Sequence, residues 1–306
     1  MLKLGIIGMS EGNGHPYSWA AIINGAFNEK EMDKCGFAGI PLYLKANRDT
    51  LGIDGAQVTH VWTQEKSISQ HIAKSSGIEN TVNRPEEMVG QVDAVLLARD
   101  DPENHVTMAK PFLDADIPIF IDKPLAINND DLSYFKEAYK KGKLLMSCSS
   151  MRYAGECLAL KAALPTLGEI ELATVVGVKD WVKYGVHMLE ALFALLDDPE
   201  VESVRHSGEA GRDIVVIRFK NGLLATIHLF MKIAATFQLS LFGRNGWELI
   251  EIKNSYAMFK ENLTEFIRSV RAGKPRLSFE KTENIIKTLI AARKSLELGG
   301  EKIDFL

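Results

Sequence analysis

An apolar run that ends in an acid, a lysine and a proline is the strongest constraint on this chain. Residues 118–121 read Pro-Ile-Phe-Ile, as in a buried β-strand, and Asp122, Lys123 and Pro124 follow at once. Proline disfavours the helical region for the residue before it, so Lys123 is expected in an extended conformation at the end of a strand. In an open α/β sheet, ligands bind at that edge. Lys123 is therefore a candidate acid or base, and an ordinary loop lysine before a turn proline is the alternative.

The first half of the chain alternates short apolar segments with amphipathic ones, a pattern that indicates parallel βαβ units. Strands are predicted at 4–8, 58–62, 92–98, 117–121 and 143–148, with helices near 18–27, 68–73, 105–113 and 130–141. Residues 28–56 exceed what such a unit needs and are predicted to be an insertion, either a lid or a surface excursion. We expect a Rossmann-type doubly wound parallel sheet over residues 1–124.

The second half has consecutive strands without intervening helices, which is typical of a largely antiparallel sheet. A hairpin is predicted at 214–219 and 223–229, with an Asn221-Gly222 turn, and further strands at 236–242 and 247–252. Two closing helices carry apolar stripes at 259–270 and 285–290. Residues 125–306 are therefore expected to form an α+β domain with an open sheet, whose flat face would hold a second subunit in a dimer or tetramer.

Composition excludes several classes of function. The formal net charge of -4 provides no basic surface for nucleic acid or anionic membranes. No apolar run is long enough to span a bilayer, and the first residues do not resemble a signal peptide. The three cysteines, Cys35, Cys148 and Cys157, are odd in number and lack metal-type spacing, which is typical of a cytoplasmic protein.

The segment after the first strand is a candidate dinucleotide-binding loop. Residues 8–14 read Gly-Met-Ser-Glu-Gly-Asn-Gly and lead into a predicted helix, whose N-terminus would attract a diphosphate. The spacing departs from G-x-G-x-x-G, and Glu11 adds a negative charge, so a generic strand–helix turn is the alternative. The residues expected to contact the cofactor here are Gly8, Ser10, Gly12, Asn13 and Gly14.

The end of the second strand bears on the choice of cofactor. A carboxylate at this tip would bind the adenosine ribose and favour NAD. Here the strand ends in Trp62 and Thr63, and Lys66 and Ser67 follow shortly afterwards. These side chains could accept a 2′-phosphate, so the sequence favours NADP over NAD, unless they only cap the next helix.

Several motifs together resemble the glucose-fructose oxidoreductase/inositol dehydrogenase (Gfo/Idh/MocA) family over essentially the whole chain. They are residues 92–98 with His105 downstream, Asp122-Lys123-Pro124, Arg152-Tyr153, 185–190 (Gly-Val-His-Met-Leu-Glu) and 266–275. The resemblance implies an NAD(P)-dependent oxidoreductase acting on a hydroxyl or carbonyl of a sugar, polyol or related small molecule. It also implies that Lys123 and His187 act together at the nicotinamide.

Further site residues are carried over from the resemblance. Cofactor contacts are expected from Ala98, Arg99, Asp100, His105 and Asp122, in addition to the glycine loop and Thr63. Asp122 stands where the family has glutamate. The charged turn 99–101 replaces a small one, so its side chains either contact substrate hydroxyls or form a salt-bridged turn.

The region before His187 departs from the family pattern. Lys183 occupies a position that usually holds aspartate, one helical turn before the histidine. We expect Lys183 either to bind an acidic or phosphorylated substrate or to be a solvated loop lysine. Tyr184 and Asp180 are secondary candidates for the missing acid, and Arg152 is a further candidate for contact with the substrate or its surroundings.

Three other interpretations compete with this one. His187 and Glu190 are a possible metal pair, but no third ligand follows at motif spacing, so no metal is expected. A non-catalytic nucleotide- or sugar-sensing homologue would keep the fold and bind without turnover. A protein that acts chiefly as an assembly partner through its open sheet is the third possibility.

Overall fold

The computed structural model describes residues 1–305. The chain divides into two compact units, each assembled from three stretches of sequence. The first unit comprises residues 1–126, 133–148 and 259–279. The second comprises 127–132, 149–258 and the described residues from 280 onward. The chain first leaves the N-terminal unit close to the predicted boundary at residue 124, and it returns to this unit twice.

A parallel sheet forms the centre of the first unit. Its strands are β1 (Leu2–Ile7), β2 (Ala56–Trp62), β3 (Asn80–Thr81), β4 (Ala94–Leu97), β5 (Ile119–Ile121) and β6 (Leu145–Met146). They are arranged in the order β3-β2-β1-β4-β5-β6, and every neighbouring pair is parallel. This order reverses direction between β1 and β4, the point at which open α/β sheets bind ligands. The predicted Rossmann-type sheet is confirmed.

The helices of the N-terminal half connect these strands. They are α1 (His15–Asn24), α2 (Glu29–Met32), α3 (Gly39–Ala46), α4 (Lys66–Ser76), α5 (His105–Asp114) and α6 (Asn129–Lys140). Helix α1 begins three residues earlier than predicted, because Pro16 is accommodated in its first turn, and it ends at Gly25 with a φ of 76°. The segment predicted as an insertion contains α2, α3 and a 3-10 turn at Arg48–Thr50.

The second unit is built on a mixed sheet. Its strands are β7 (Ile170–Val178), β8 (Val201–His206), β9 (Arg212–Phe219), β10 (Leu224–Phe230), β11 (Phe237–Gly243), β12 (Trp247–Glu251) and β13 (Ile303–Asp304). They lie in the order β12-β11-β7-β10-β9-β8-β13, and only β7 and β10 pair in parallel. The largely antiparallel sheet of the prediction is thus confirmed, with β7, β8 and β13 as strands that it did not include.

The second half of the chain contains four helices: α7 (Gly155–Leu167), α8 (Trp181–Leu195), α9 (Ser255–Ala272) and α10 (Phe279–Glu297). Most of α9 belongs to the first unit, which includes residues 259–279. Helix α8 packs on β7 and β10, and one face of these strands is fully buried, as at Val175 and Ile227. The alternate residues face the other way and are only partly buried. One sheet face therefore belongs to the core and the other is open. Among residues 1–305, no helix combines the length and apolar character that crossing a bilayer requires.

Candidate active site

The loop between β1 and α1 has free donors for an anion. Within residues 1–305, the backbone N–H groups of Ser10, Glu11, Gly12 and Gly14 have no hydrogen-bond acceptor. Gly12 has a φ of 78°, and a Cβ at this position would meet no atom within 4 Å. Unpaired N–H groups at the start of a helix bind phosphate, and open space beside glycine lets the phosphate approach the backbone. The loop therefore fits a dinucleotide diphosphate despite its irregular spacing.

The other two glycines of the loop serve close packing. A Cβ at Gly14 would lie 2.7 Å from both Phe37 Cδ2 and Ile40 Cδ1, and a Cβ at Gly8 would overlap the ring of Pro16. Phe37 and Ile40 belong to the segment predicted as an insertion. This segment therefore packs directly on the loop. The close contact requires a residue without a Cβ atom at position 14.

Asp122 connects the end of β5 with the β1–α1 loop. Its Oδ1 accepts the N–H of Lys123 at 2.8 Å, and its Oδ2 accepts from Asn13 Nδ2 at 2.9 Å and lies 2.6 Å from His15 Nδ1. Burial alone would raise the pKa of Asp122, but the charges and hydrogen bonds of His15, Lys123 and Asn13 outweigh it and hold this pKa well below its usual value. Asp122 is 1% exposed, and these partners keep it an ionised carboxylate that orients its neighbours.

Lys123 extends from the same strand end towards the turn after β4. Its Nζ lies 3.5 Å from Asp100 Oδ2, and the residue is 6% exposed. Asp100 is itself held by Ser10, because the serine hydroxyl donates to Asp100 Oδ1 at 2.5 Å and accepts the Asp100 N–H at 3.0 Å. The lysine, the charged turn and the cofactor loop are therefore joined by direct contacts within the first unit.

The remaining residues of the charged turn form a salt-bridged structure. Arg99 pairs with Asp101 and donates to the carbonyl of Met9 at 3.0 Å. Burial alone would raise the pKa of Asp101, but hydrogen bonds from Arg99 and Asn104 lower it. Of the two readings of residues 99–101, the salt-bridged turn describes Arg99 and Asp101, whereas Asp100 faces the lysine.

Three other predicted cofactor residues are occupied by protein contacts. His105 is buried, with Nδ1 3.1 Å from the Leu125 carbonyl oxygen and Nε2 2.9 Å from that of Arg99. The Ala98 N–H donates to the Ile7 carbonyl at 2.8 Å. The Thr63 hydroxyl donates to the Glu65 carbonyl at 2.7 Å and is buried. The His105 and Thr63 side chains and the Ala98 backbone therefore stabilise the strand ends through contacts within the protein.

In the second unit, His187 lies in α8 with its imidazole held from two sides. Its Nδ1 is 2.5 Å from the Ser149 hydroxyl, and its ring lies 5.0 Å from the Tyr184 ring, measured between centroids. Tyr184 in turn stacks on Phe237 at 6.0 Å. The ring is partly exposed, so it has a fixed orientation and an accessible edge.

A buried ion network lies behind this histidine. Arg152 Nε donates to Glu190 Oε2 at 2.5 Å, and its Nη2 donates to Asp198 Oδ1 at 2.6 Å. Burial raises the pKa of Glu190, although the charge of Arg152 acts in the opposite direction. Glu190 Oε1 also accepts the N–H of Ser149 at 3.3 Å. Arg152 therefore supports the segment that carries Ser149.

The residues predicted around Lys183 have distinct roles. Asp180 caps α8, since its Oδ1 accepts the Lys183 N–H at 3.0 Å. The Lys183 side chain is exposed, and the Tyr184 hydroxyl accepts a hydrogen bond from Lys179 Nζ at 2.7 Å. Across the described part of the chain, no group of three or more His, Cys, Asp or Glu side chains is placed to hold a metal ion.

Sequence reasoning missed three polar residues that the fold brings to these places: His15, Ser149 and Lys179. His15 follows the glycine loop directly and precedes a proline in the first turn of a helix, which was the available signal. Ser149 and Lys179 carry no motif. Their contacts with His187 and Tyr184 are evident only in the folded structure.

The comparisons with known proteins agree with this architecture. Residues 35–149 match the model of the GFO_IDH_MocA family, described as an oxidoreductase family with an NAD-binding Rossmann fold. A curated protein of Amycolatopsis mediterranei (strain S699), "Putative UDP-kanosamine synthase oxidoreductase subunit", is 27% identical over 135 residues, which cover 44% of this chain and 37% of that protein. The match thus spans little more than a third of the curated relative.

Solved structures share the fold over the full length. A probable dehydrogenase from Thermotoga maritima has a TM-score of 0.79 at 19% identity, covering 99% of this chain and 98% of that one. A myo-inositol 2-dehydrogenase from Lactobacillus plantarum has a TM-score of 0.78 at 14% identity, with 100% and 99% covered. A scyllo-inositol dehydrogenase from Lactobacillus casei, solved with NAD(H) and scyllo-inositol, has a TM-score of 0.77 at 12% identity, with 99% of each chain covered.

The strand order and the donor-rich loop define a Rossmann-type nucleotide-binding fold, which a second unit with a mixed sheet follows. Over residues 35–149 the chain is similar to the Gfo/Idh/MocA family, which is described as an oxidoreductase family with an NAD-binding Rossmann fold.

Proposed function

We propose that this protein is an NAD(P)-dependent dehydrogenase or reductase that acts on a hydroxyl or carbonyl group of a sugar, polyol or related small molecule. The observation that carries the proposal is the placement of Lys123. This lysine is buried at the carboxyl end of β5, in contact with Asp100, which Ser10 links to the cofactor loop. A buried lysine joined to a loop that fits a diphosphate supports chemistry beside a bound nicotinamide.

The two proposed catalytic side chains have different surroundings and therefore different tasks. Oxidation of a secondary alcohol requires a base for the hydroxyl proton and a donor that stabilises the developing oxyanion. A bound nicotinamide supplies the hydride acceptor. Lys123, paired with a carboxylate, suits the donor role, and His187, whose Nδ1 is engaged by Ser149, suits the base. In the reduction of a carbonyl, His187 returns the proton and Lys123 stabilises the developing oxyanion.

The choice between NAD and NADP rests on the tip of β2. Lys66 and Ser67 are exposed there and support a 2′-phosphate, as the sequence predicts. Thr63 does not, because its hydroxyl is committed to Glu65 and Ser69. The exposed carboxylate of Glu65 would favour an unphosphorylated ribose. Separate titrations with the two reduced cofactors decide between these opposing groups.

The substrate class is supported by the relatives. One solved structure with this fold contains scyllo-inositol, and the curated relative is named for a UDP-linked sugar derivative. Both are polyhydroxylated compounds. We propose a substrate of this kind, and we place the protein in the cytoplasm, in agreement with three cysteines that form no disulfide.

The test begins with binding and proceeds to turnover. Quenching of tryptophan fluorescence is measured during titration with NADH and NADPH, and a panel of sugars and polyols is then screened for formation of the reduced cofactor. We expect saturable binding in the micromolar range and loss of turnover in Lys123→Met, with cofactor binding retained. Lys141→Met is the matched control, because Lys141 is an exposed lysine of the same unit. Absence of binding to either cofactor by folded protein would refute the proposal.

The same experiment addresses the non-catalytic alternative. A sensor would bind cofactor or sugar, and Lys123→Met would alter no reaction because none occurs. Hydride exchange that depends on Lys123 is therefore the property that separates an enzyme from a binding homologue.

We further propose that the open face of the second sheet joins copies of this chain. Cross-strand pairing aligns Trp247, Phe242, Leu172 and Leu224 in one row on this face. Trp247 is 65% exposed, and Phe242 and Leu249 are also exposed. Large apolar side chains grouped on a sheet face are typical of protein–protein interfaces.

A further inference from the structure

Lys179 has a backbone conformation that lysine rarely adopts. It follows β7 directly and has a φ of 72°. Among the described residues, the other non-glycine positions with positive φ are all aspartates, a residue type that tolerates this region better. Residues in such conformations concentrate at functional sites. The turn connects β7 to the N-terminus of α8, where Asp180 caps the helix.

The same turn directs the Lys179 side chain onto Tyr184. Its Nζ donates to the tyrosine hydroxyl at 2.7 Å and lies 4.4 Å from the centroid of the ring. The other neighbours of this ring are His187, at 5.0 Å, and Phe237, which stacks on it at 6.0 Å. The ammonium group and the imidazole therefore contact the same aromatic ring.

The charge of this lysine is not balanced by the protein. Within residues 1–305, neither Lys179 nor Lys183 has a carboxylate oxygen within 4.0 Å of its Nζ. The nearby carboxylate of Asp180 accepts the Lys183 N–H as a helix cap. Many other exposed lysines of this chain are paired, for example Lys220 with Glu200 and Lys302 with Asp304. An unpaired ammonium group on the ring that a candidate catalytic histidine also contacts, with a second unpaired lysine four positions further along the chain, favours a negatively charged ligand.

We propose that Lys179 is a specificity-determining residue that anchors an anionic group of the substrate, with Lys183 adding to the positive charge. The substrate is then an acidic or phosphorylated sugar or polyol, and the oxidised or reduced carbon lies at His187. Carboxylate and phosphate share the chemistry that an ammonium group recognises. The inference rests on the proposed function and makes its substrate class more specific.

Tyr184 orients the anchor. The hydrogen bond to its hydroxyl and the contact with its ring hold the long lysine side chain in one place, which reduces the entropy lost on binding. If Lys179 merely supported Tyr184, its removal would affect charged and neutral substrates equally. An anchoring role predicts an effect confined to the charged ones.

The test compares matched pairs of compounds on cofactor-saturated protein. Each pair has the same carbon skeleton with and without the anionic group: D-glucose against D-glucuronate and D-glucose 6-phosphate, and myo-inositol against its monophosphates. We expect at least tenfold higher kcat/KM for an anionic member. In Lys179→Met this advantage should fall about 10–100-fold through KM, as expected for the loss of one charge-assisted contact. The uronate and phosphate compounds identify which anion is bound.

Two further variants complete the design. Lys179→Arg should retain most of the advantage, and Lys302→Met, which removes a paired surface lysine, should retain all of it. Equal kcat/KM for anionic and neutral members, or an advantage that persists in Lys179→Met, would overturn the proposal. Failure of the proposed function has another signature, since the protein would then bind neither NADH nor NADPH and would turn over neither member of any pair.

Discussion

His15 Nδ1 lies 2.6 Å from Asp122 Oδ2, although the two residues are 107 positions apart in the sequence. The imidazole also stacks on Trp19, with 4.6 Å between ring centroids, so its orientation is fixed by a carboxylate and an aromatic ring. Since Asp122 binds the N–H of Lys123 as well, this pair connects the first turn of α1 with the residue proposed to act on the substrate.

Replacement of His15 by alanine should destabilise the first unit. Asp122 would remain buried with fewer partners, and we expect a loss of about 1–3 kcal/mol in the free energy of unfolding at pH 7, measured with urea. Asp114→Asn is a control, because Asp114 lies on the surface. Equal stabilities of wild type and His15→Ala would show that the pair contributes nothing.

The pH dependence of the Asp122 contribution has a defined sign. The pKa of Asp122 in the folded protein lies below its usual value, so its stabilising effect is complete above the pKa of unfolded aspartate, about 3.9, and declines as the pH falls towards the lower folded value. The difference in unfolding free energy between wild type and Asp122→Asn should therefore narrow as the pH falls below about 4. A difference that grows on acidification would contradict this assignment.

Asp100→Asn should impair turnover more than cofactor binding. The asparagine retains a carbonyl oxygen for Ser10 but removes the charge that holds Lys123 Nζ. We expect kcat to fall about tenfold or more, while the dissociation constant for NADH changes less than about threefold. A matched measurement on Asp101→Asn tests the specificity of the effect, because Asp101 pairs with Arg99 instead. Unchanged kcat in Asp100→Asn would remove Asp100 from the proposed site.

Two glycines of the loop should respond differently to alanine. In Gly14→Ala the new methyl group would collide with Phe37 and Ile40, so we expect a loss of about 1–3 kcal/mol in unfolding free energy. The double variant Gly14→Ala/Phe37→Leu should recover part of it. Gly12→Ala meets no atom and should cost only about 1–2 kcal/mol for its positive φ, with weaker binding of NADH because the methyl group occupies the approach of the phosphate.

Ser149→Ala should act through His187. Removal of the hydroxyl leaves His187 Nδ1 without this partner, so we expect kcat to decrease about 10–100-fold and the pH profile of kcat to change shape. Ser149→Thr keeps a hydroxyl group and should restore part of the activity. A pH profile that is identical in wild type and Ser149→Ala, at reduced kcat, would assign the serine a purely structural role.

Trp247→Glu should weaken self-association. A carboxylate within an apolar patch must lose its hydration when two faces meet, which opposes the contact. Light scattering coupled to size exclusion should show an assembly for the wild type and a smaller species for Trp247→Glu. Lys302→Glu, outside the open face, should leave the assembly intact, and a monomeric wild type would refute the proposed interface.

The order of strands and helices in the first unit was predictable because it depends on local patterns. Apolar runs of four to six residues separated by amphipathic segments define parallel βαβ units, and the residue before Pro124 is limited by local sterics. In the second unit, the hairpin of β9 and β10 was predictable from its Asn-Gly turn. Strands β7 and β8 were not, since each is preceded and followed by helical or irregular segments without a turn signal.

The two sheets, the position of Lys123 at the end of a strand and the resemblance to the Gfo/Idh/MocA family were predictable from the sequence, because they depend on short-range periodicity and on motifs. The fold was needed to show that Asp122 faces His15, that Ser149 holds His187 and that Lys179 lies on Tyr184. The first two contacts join elements that are distant in the sequence, and the third depends on the left-handed backbone of Lys179. The approach of distant elements is set by strand order and helix packing, which no local pattern specifies.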